Sequence, residues 1–104
     1  MITASFSKKN GKFYKFRISG HSGYAESGND IVCAAVSSMT MLTINNITDT
    51  FGISALADVD PEGPVIDFQL NSNDERGCAL IAGLEREISV LAEDYPKFVR
   101  VILK

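Results

Sequence analysis

Ile2–Ser19, ITASFSKKNGKFYKFRIS, sets apolar residues on alternate positions either side of Lys9-Asn10-Gly11. Ile2, Ala4 and Phe6 alternate with polar residues, as do Tyr14, Phe16 and Ile18. A period of two is that of a strand with one buried face, so the stretch predicts a β-hairpin. Its register follows from loop length. A two-residue Asn10-Gly11 loop puts Ser5 opposite Phe16 and divides the apolar residues between the two faces. A three-residue loop pairs Phe6 with Tyr14 and Ala4 with Phe16, on one face. The second is expected, with Gly11 in the left-handed position of a bulged turn.

Downstream, Asp30 to about Thr50 reads as a helix. Ile31, Val32, Ala34, Ala35, Val36, Met39, Met41, Leu42, Ile44 and Ile47 cover nearly its whole circumference, which predicts burial between the sheet and another helix or subunit. Gly52 is a stop signal just past its end. Ile53 to Val59 alternates again, Asp60-Pro61-Glu62-Gly63 is a turn, and Val65 to Leu70 returns with Ile66, Phe68 and Leu70 on one face. Ser72 and Glu75 have the spacing of a capping box. The helix they open buries Ile81, Leu84, Ile88, Leu91 and Tyr95, leaving Arg76, Glu85, Arg86 and Glu93 for solvent. Pro96 closes it, and Phe98 to Leu103 is a last strand. The order ββαββαβ makes an α+β fold, a mixed or antiparallel sheet packed with two helices, in a single domain over residues 1–104.

A chain of 104 residues suits one domain, and its 45% hydrophobic and 22% charged residues suit a soluble globular one. The N-terminal MITASFSKKNGK shows no secretory signal, and the apolar runs are too short to span a bilayer. A cytoplasmic setting with both cysteines reduced is expected. The net charge of −3 argues against a dedicated nucleic-acid binder. Lys8, Lys9, Lys12, Lys15 and Arg17 are nevertheless concentrated at the start, while Asp58, Asp60, Glu62, Asp67, Asp74 and Glu75 follow. That contrast reads first as a solvated hairpin on an acidic body, second as an acidic surface for a basic partner.

Each half runs hairpin, Asn-Asp, helix. In the second, a few residues join strand to helix; in the first, Gly20 to Asn29 makes a longer connection. The added length carries the only histidine, His21, and ends just before Cys33. If Asn29 or Asp30 caps the helix, Cys33 lies in its first turn, where unpaired N–H groups and the helix dipole favour a thiolate. His21 is then a base within reach of a folding loop, and the N–H groups are candidate oxyanion donors. The residues alone leave alternatives open. Cys33 is a nucleophile or a small core residue, and His21 a base or a turn residue. Asp30 is more cap than catalyst. Ser37, one turn on, bonds the site or packs against the sheet. Gly20, Gly23 and Gly28 permit turns or let the loop open for a polypeptide. Cys78, deeper in its helix, reads as structural. Two cysteines without CxxC spacing and one histidine leave a metal site short of ligands, and no cofactor is expected.

Gly20-His21, then Gly28, Asp30 and Val32-Cys33-Ala34-Ala35-Val36-Ser37, resembles the signature of the bacterial ribosomal-processing cysteine proteases, Prp. Small size and the ββαββαβ order fit along the whole chain. The resemblance implies that Cys33 is the nucleophile and His21 its general base and acid. It further implies a substrate, the N-terminal extension of a large-subunit ribosomal protein precursor, cut after an aromatic residue. It also implies pairing into a homodimer, for which the apolar first helix supplies a surface. Ser22 stands where many relatives carry alanine, a departure that leaves the dyad untouched. The rival reading is a noncatalytic ribosome-associated module whose basic hairpin touches RNA.

Overall fold

Asn10 and Gly11 both take positive φ, 55° and 76°. That is the backbone of a two-residue hairpin turn, so the strands close on Asn10-Gly11 and not on the expected three-residue loop. The computed structural model, which describes residues 1–26, 30–60 and 65–104, explains how the apolar residues still share a face. In β1 (Ile2–Lys9) and β2 (Lys12–Ser19), Lys9 faces Lys12 and Lys8 faces Phe13, until a bulge shifts the register. Beyond it Ser7 faces Lys15, Phe6 faces Phe16 and Ala4 faces Ile18, so Tyr14 is the extra residue. The requirement for one apolar face was sound; a bulge met it where a longer loop was expected. The bulge also turns Phe13, in place of Tyr14, toward the core, edge-on to Phe6 with ring centroids 5.9 Å apart.

The first helix, α1, spans Ile31–Asn45 and widens into a π-helical turn at Asn46–Thr50. It is not wrapped on all sides. Val32, Val36, Thr40, Thr43, Ile44 and Ile47 are buried, whereas Ile31, Met41 and Leu42 are 58%, 38% and 63% exposed. The core takes only one face of it. Ile31–Thr50 has the length and hydropathy of a membrane span, contrary to the reading of the apolar runs as too short. Here its buried face belongs to the protein's own core.

β3 (Ala55–Asp60) and β4 (Val65–Leu70) form the second hairpin, whose expected Asp60–Gly63 turn lies largely outside the described residues. The second helix, α2 (Glu75–Asp94), is capped by Asp74, which accepts the N–H groups of Arg76 and Gly77 at 2.9 and 3.4 Å. The anticipated Ser72–Glu75 box is therefore replaced by a carboxylate directly before the helix. Glu75 instead pairs with Lys12 across 2.9 Å, tying α2 to the first hairpin. β5 (Val99–Leu103) completes a mixed sheet of order β3-β4-β2-β1-β5, parallel only where β5 meets β1.

Phe6, Phe16 and Phe68 run across neighbouring strands, with successive ring centroids 5.9 and 5.2 Å apart. All three are at most 1% exposed, and each contributes roughly 1.5–3 kcal/mol by burial. Ile81, Leu84 and Ile88 of α2 complete the core with α1. The other face of the sheet is polar: Ser5, Arg17, Asp67 and Asp58 lie in register, with Arg17 3.4 Å from Asp67. The strand ends leave the start of β1, the end of β2 and the start of β5 side by side. From that corner the chain sets out along the long connection to α1.

Candidate active site

The corner is closed at Gly20, where φ is +91° and a Cβ would run into the Met1 carbonyl. Only glycine lets the chain leave β2 this close to the first residue. The next residue, His21, is exposed, and Ser22 after it is 2% exposed. Tyr24 sets its ring edge-on to Tyr95 and Phe98, with centroids 5.5 and 5.3 Å away, fastening the connection to the end of α2. A large aromatic in a run of small residues was the available signal for this anchor; sequence reasoning missed it.

Asp30 caps α1 as expected. Its Oδ1 accepts the Cys33 N–H at 2.9 Å and its Oδ2 accepts the Ser22 hydroxyl. Cys33 lies in the first helical turn, half-buried, and its Sγ accepts the Ser22 backbone N–H at 3.4 Å. His21, Gly23, Ala25, Asp30, Cys33, Ala34 and Ser37 line one open cavity of about 430 Å³. The sequence-predicted His21, Cys33, Asp30, Ala34, Ser37 and Gly23 are thus brought to one place, while Gly20 is not among the lining residues and sits against Met1. Gly28 falls outside the described residues. A larger depression of about 520 Å³, lined in part by Lys15, Arg17, Leu56, Asp58 and Asp67, lies on the polar sheet face, and its lining residues include neither cysteine nor histidine.

Of the first-turn N–H groups, that of Cys33 is already taken by the Asp30 carboxylate, while that of Ala34 makes the first bond of the helix itself, to the Asp30 carbonyl at 3.1 Å. The donor facing the sulfur is the N–H of Ser22, from the connection and not from the helix. Nothing in the sequence marked Ser22 for this. At the equivalent distance from the cap, α2 carries Gly77, where an added Cβ would come within 3.0 Å of the Leu70 methyl groups. Cys78 is buried, its thiol pKa is raised chiefly by that burial, and its Sγ donates to Asn73 Oδ1 at 3.5 Å. Among the described residues, no three His, Cys, Asp or Glu side chains converge as a metal site.

Hydrogen bonds from the Ser22 hydroxyl first, and the Cys33 N–H second, hold the Asp30 carboxyl below its ordinary pKa, against the opposing effect of burial. The folded chain therefore binds this proton less readily than the unfolded chain. The resulting stabilisation is complete above the unfolded carboxylate value of about 3.9, and disappears as pH falls through the lower folded value. Urea unfolding of the parent and Asp30→Asn is expected to show a stability gap that narrows steadily below about pH 4. A gap unchanged by acid would mean that Asp30 is not held in this way.

The family model described as cysteine protease Prp matches residues 1–100. The chain belongs to the Prp family of cysteine proteases. The Bacillus subtilis ribosomal processing cysteine protease Prp is 26% identical over 107 residues, spanning 97% of this chain and 96% of its own length. The crystal structure of the S. aureus ribosomal processing protease Prp, with a covalently linked product peptide, superposes with a TM-score of 0.94. It covers the whole of both chains at 23% identity and supports the ββαββαβ fold. A Streptococcus mutans protein of known crystal structure is 31% identical, with a TM-score of 0.87 over 99% of this chain and 93% of its own.

Proposed function

We propose that this Prp protein is a cytoplasmic cysteine endopeptidase that removes the N-terminal extension of a large-subunit ribosomal protein precursor. The observation that carries the reading is that Cys33 and His21 border one open cavity beside the Asp30 cap. The name of the B. subtilis relative supports a ribosomal substrate, and the S. aureus complexes with peptides support a polypeptide one. His21 takes the proton from Cys33, and the sulfur attacks the scissile carbonyl to give a tetrahedral adduct. As the C–N bond breaks, protonated His21 donates to the leaving amine. Water, activated by His21, then attacks the thioester, and the thiolate leaves and recovers its proton. Two copies form the working unit in this reading, with the exposed Ile31, Met41 and Leu42 of α1 supplying apolar surface. The noncatalytic rival has less support, because Lys12 and Arg17 of the basic hairpin are already paired with Glu75 and Asp67.

The test is mass spectrometry of ribosomal-protein precursors incubated with the purified protein. A single cut that releases the N-terminal extension, after an aromatic residue, is the expected result. Intact precursors after prolonged incubation, with a control peptide cleaved, would remove the ribosomal substrate while leaving the protease.

A further inference from the structure

Ser22 makes more hydrogen bonds than a turn residue needs. Its N–H donates to Cys33 Sγ at 3.4 Å, its hydroxyl donates to Asp30 Oδ2, and the same oxygen accepts the Tyr24 N–H at 3.1 Å. Asp30 Oδ1 accepts the Cys33 N–H at 2.9 Å, which closes a ring of contacts from Ser22 through Asp30 to Cys33 and back. At 2% exposure the polar groups of Ser22 itself have no water as a ready substitute. The residue also sits between the His21 side chain and the Tyr24 anchor, so fixing it fixes where the histidine's loop meets the sulfur.

We propose that Ser22 is a positioning residue for the nucleophile: its backbone N–H holds the Cys33 sulfur, and its hydroxyl, bonded to Asp30, holds that N–H in place. A hydrogen bond to a charged acceptor is stronger than one to a neutral acceptor, so the N–H favours the thiolate over the thiol. Asp30 works in two directions. Its negative charge disfavours a neighbouring thiolate, while its bond to Ser22 aims the donor that favours it. Among the described residues, the other titratable group bordering the cavity is His21, whose cationic form also favours a neighbouring thiolate. The hydroxyl is what an alanine here would lack, so this chain has a tie that rests on its own side chain.

The proposal rests on Cys33 being the nucleophile, and its test does not depend on turnover. Alkylation of Cys33 by iodoacetamide, followed at the Cys33 peptide by mass spectrometry across pH, reads the thiolate directly. In Ser22→Ala the rate near pH 7 is expected to fall about three- to tenfold and its pH midpoint to rise, while the thermal midpoint drops by a few degrees because Asp30 and the Tyr24 N–H lose the hydroxyl. With a cleavable peptide, the same variant is expected to lose kcat more than it alters KM. A second measurement needs no variant at position 22. The Ser22 amide proton in a nitrogen-15-labelled sample is expected to move downfield as Cys33 ionises, and to lose that step in Cys33→Ala. Superimposable alkylation profiles for parent and Ser22→Ala, or an amide that ignores Cys33 ionisation, would overturn the assignment. If those results hold while Cys33→Ala still cleaves peptide, the contact between Ser22 and the Cys33 sulfur stands and the reading of Cys33 as the nucleophile fails.

Discussion

Cys33→Ala is expected to lower kcat for precursor-peptide cleavage by about 10⁴-fold or more, the scale on which a nucleophile's removal is felt. The loss should be nearly all chemical. Cys33 is half-buried at the first turn of α1, and its backbone N–H still reaches Asp30 when the sulfur is gone. Removing one sulfur leaves Ser22 N–H without its acceptor, which costs on the order of 1 kcal/mol of stability. The thermal midpoint should therefore fall by only a few degrees, roughly 4–8 °C per kcal/mol for a domain of this size. Peptide affinity should survive, since the remainder of the cavity lining is untouched. Cys78→Ala is the matched control: that thiol is buried beneath α2 and faces Asn73, so turnover should follow the parent while stability drops. Parent-like turnover in Cys33→Ala would end the case for a Cys33 nucleophile.

The parts of the fold that were legible were those where one local pattern answers one local force. Ile66, Phe68 and Leu70 alternate because β4 has a single core face, and Ile81, Leu84 and Ile88 recur because α2 has a single core stripe. The hairpin register was not legible, because a bulge at Tyr14 decouples turn length from facing. Both Asn10-Gly11 and a common apolar face were correct signals, yet together they demand a residue with no partner. The circumference of α1 misled for a related reason. Ile31, Met41 and Leu42 are apolar, yet the chain's own core leaves them exposed, so an apolar position on a helix was not a sufficient sign of burial. At the site, Cys33 and Asp30 could be placed by counting along a helix from its cap. Ser22 could not, because its three hydrogen bonds depend on how an irregular connection folds back over α1.

His21→Ala is expected to reduce kcat by about 10²–10⁴-fold while leaving KM close to the parent, since proton transfer and not peptide affinity is removed. The side chain is exposed, so its truncation should leave the unfolding transition where it is. The variant also opens space at the rim of a cavity of about 430 Å³ that already communicates with solvent. Exogenous imidazole should enter it and restore part of the lost rate, with a pH dependence that follows the added base. Rescue by imidazole would separate a missing proton carrier from a misplaced loop, which no added base repairs. An unchanged kcat, or a loss confined to KM, would remove His21 from the chemistry. The substitution leaves the backbone N–H of Ser22 in position, so that amide should continue to respond to Cys33 ionisation in His21→Ala. Neighbouring residues would then divide the work: the side chain at 21 moves the proton, and the N–H at 22 holds the sulfur that gives it up.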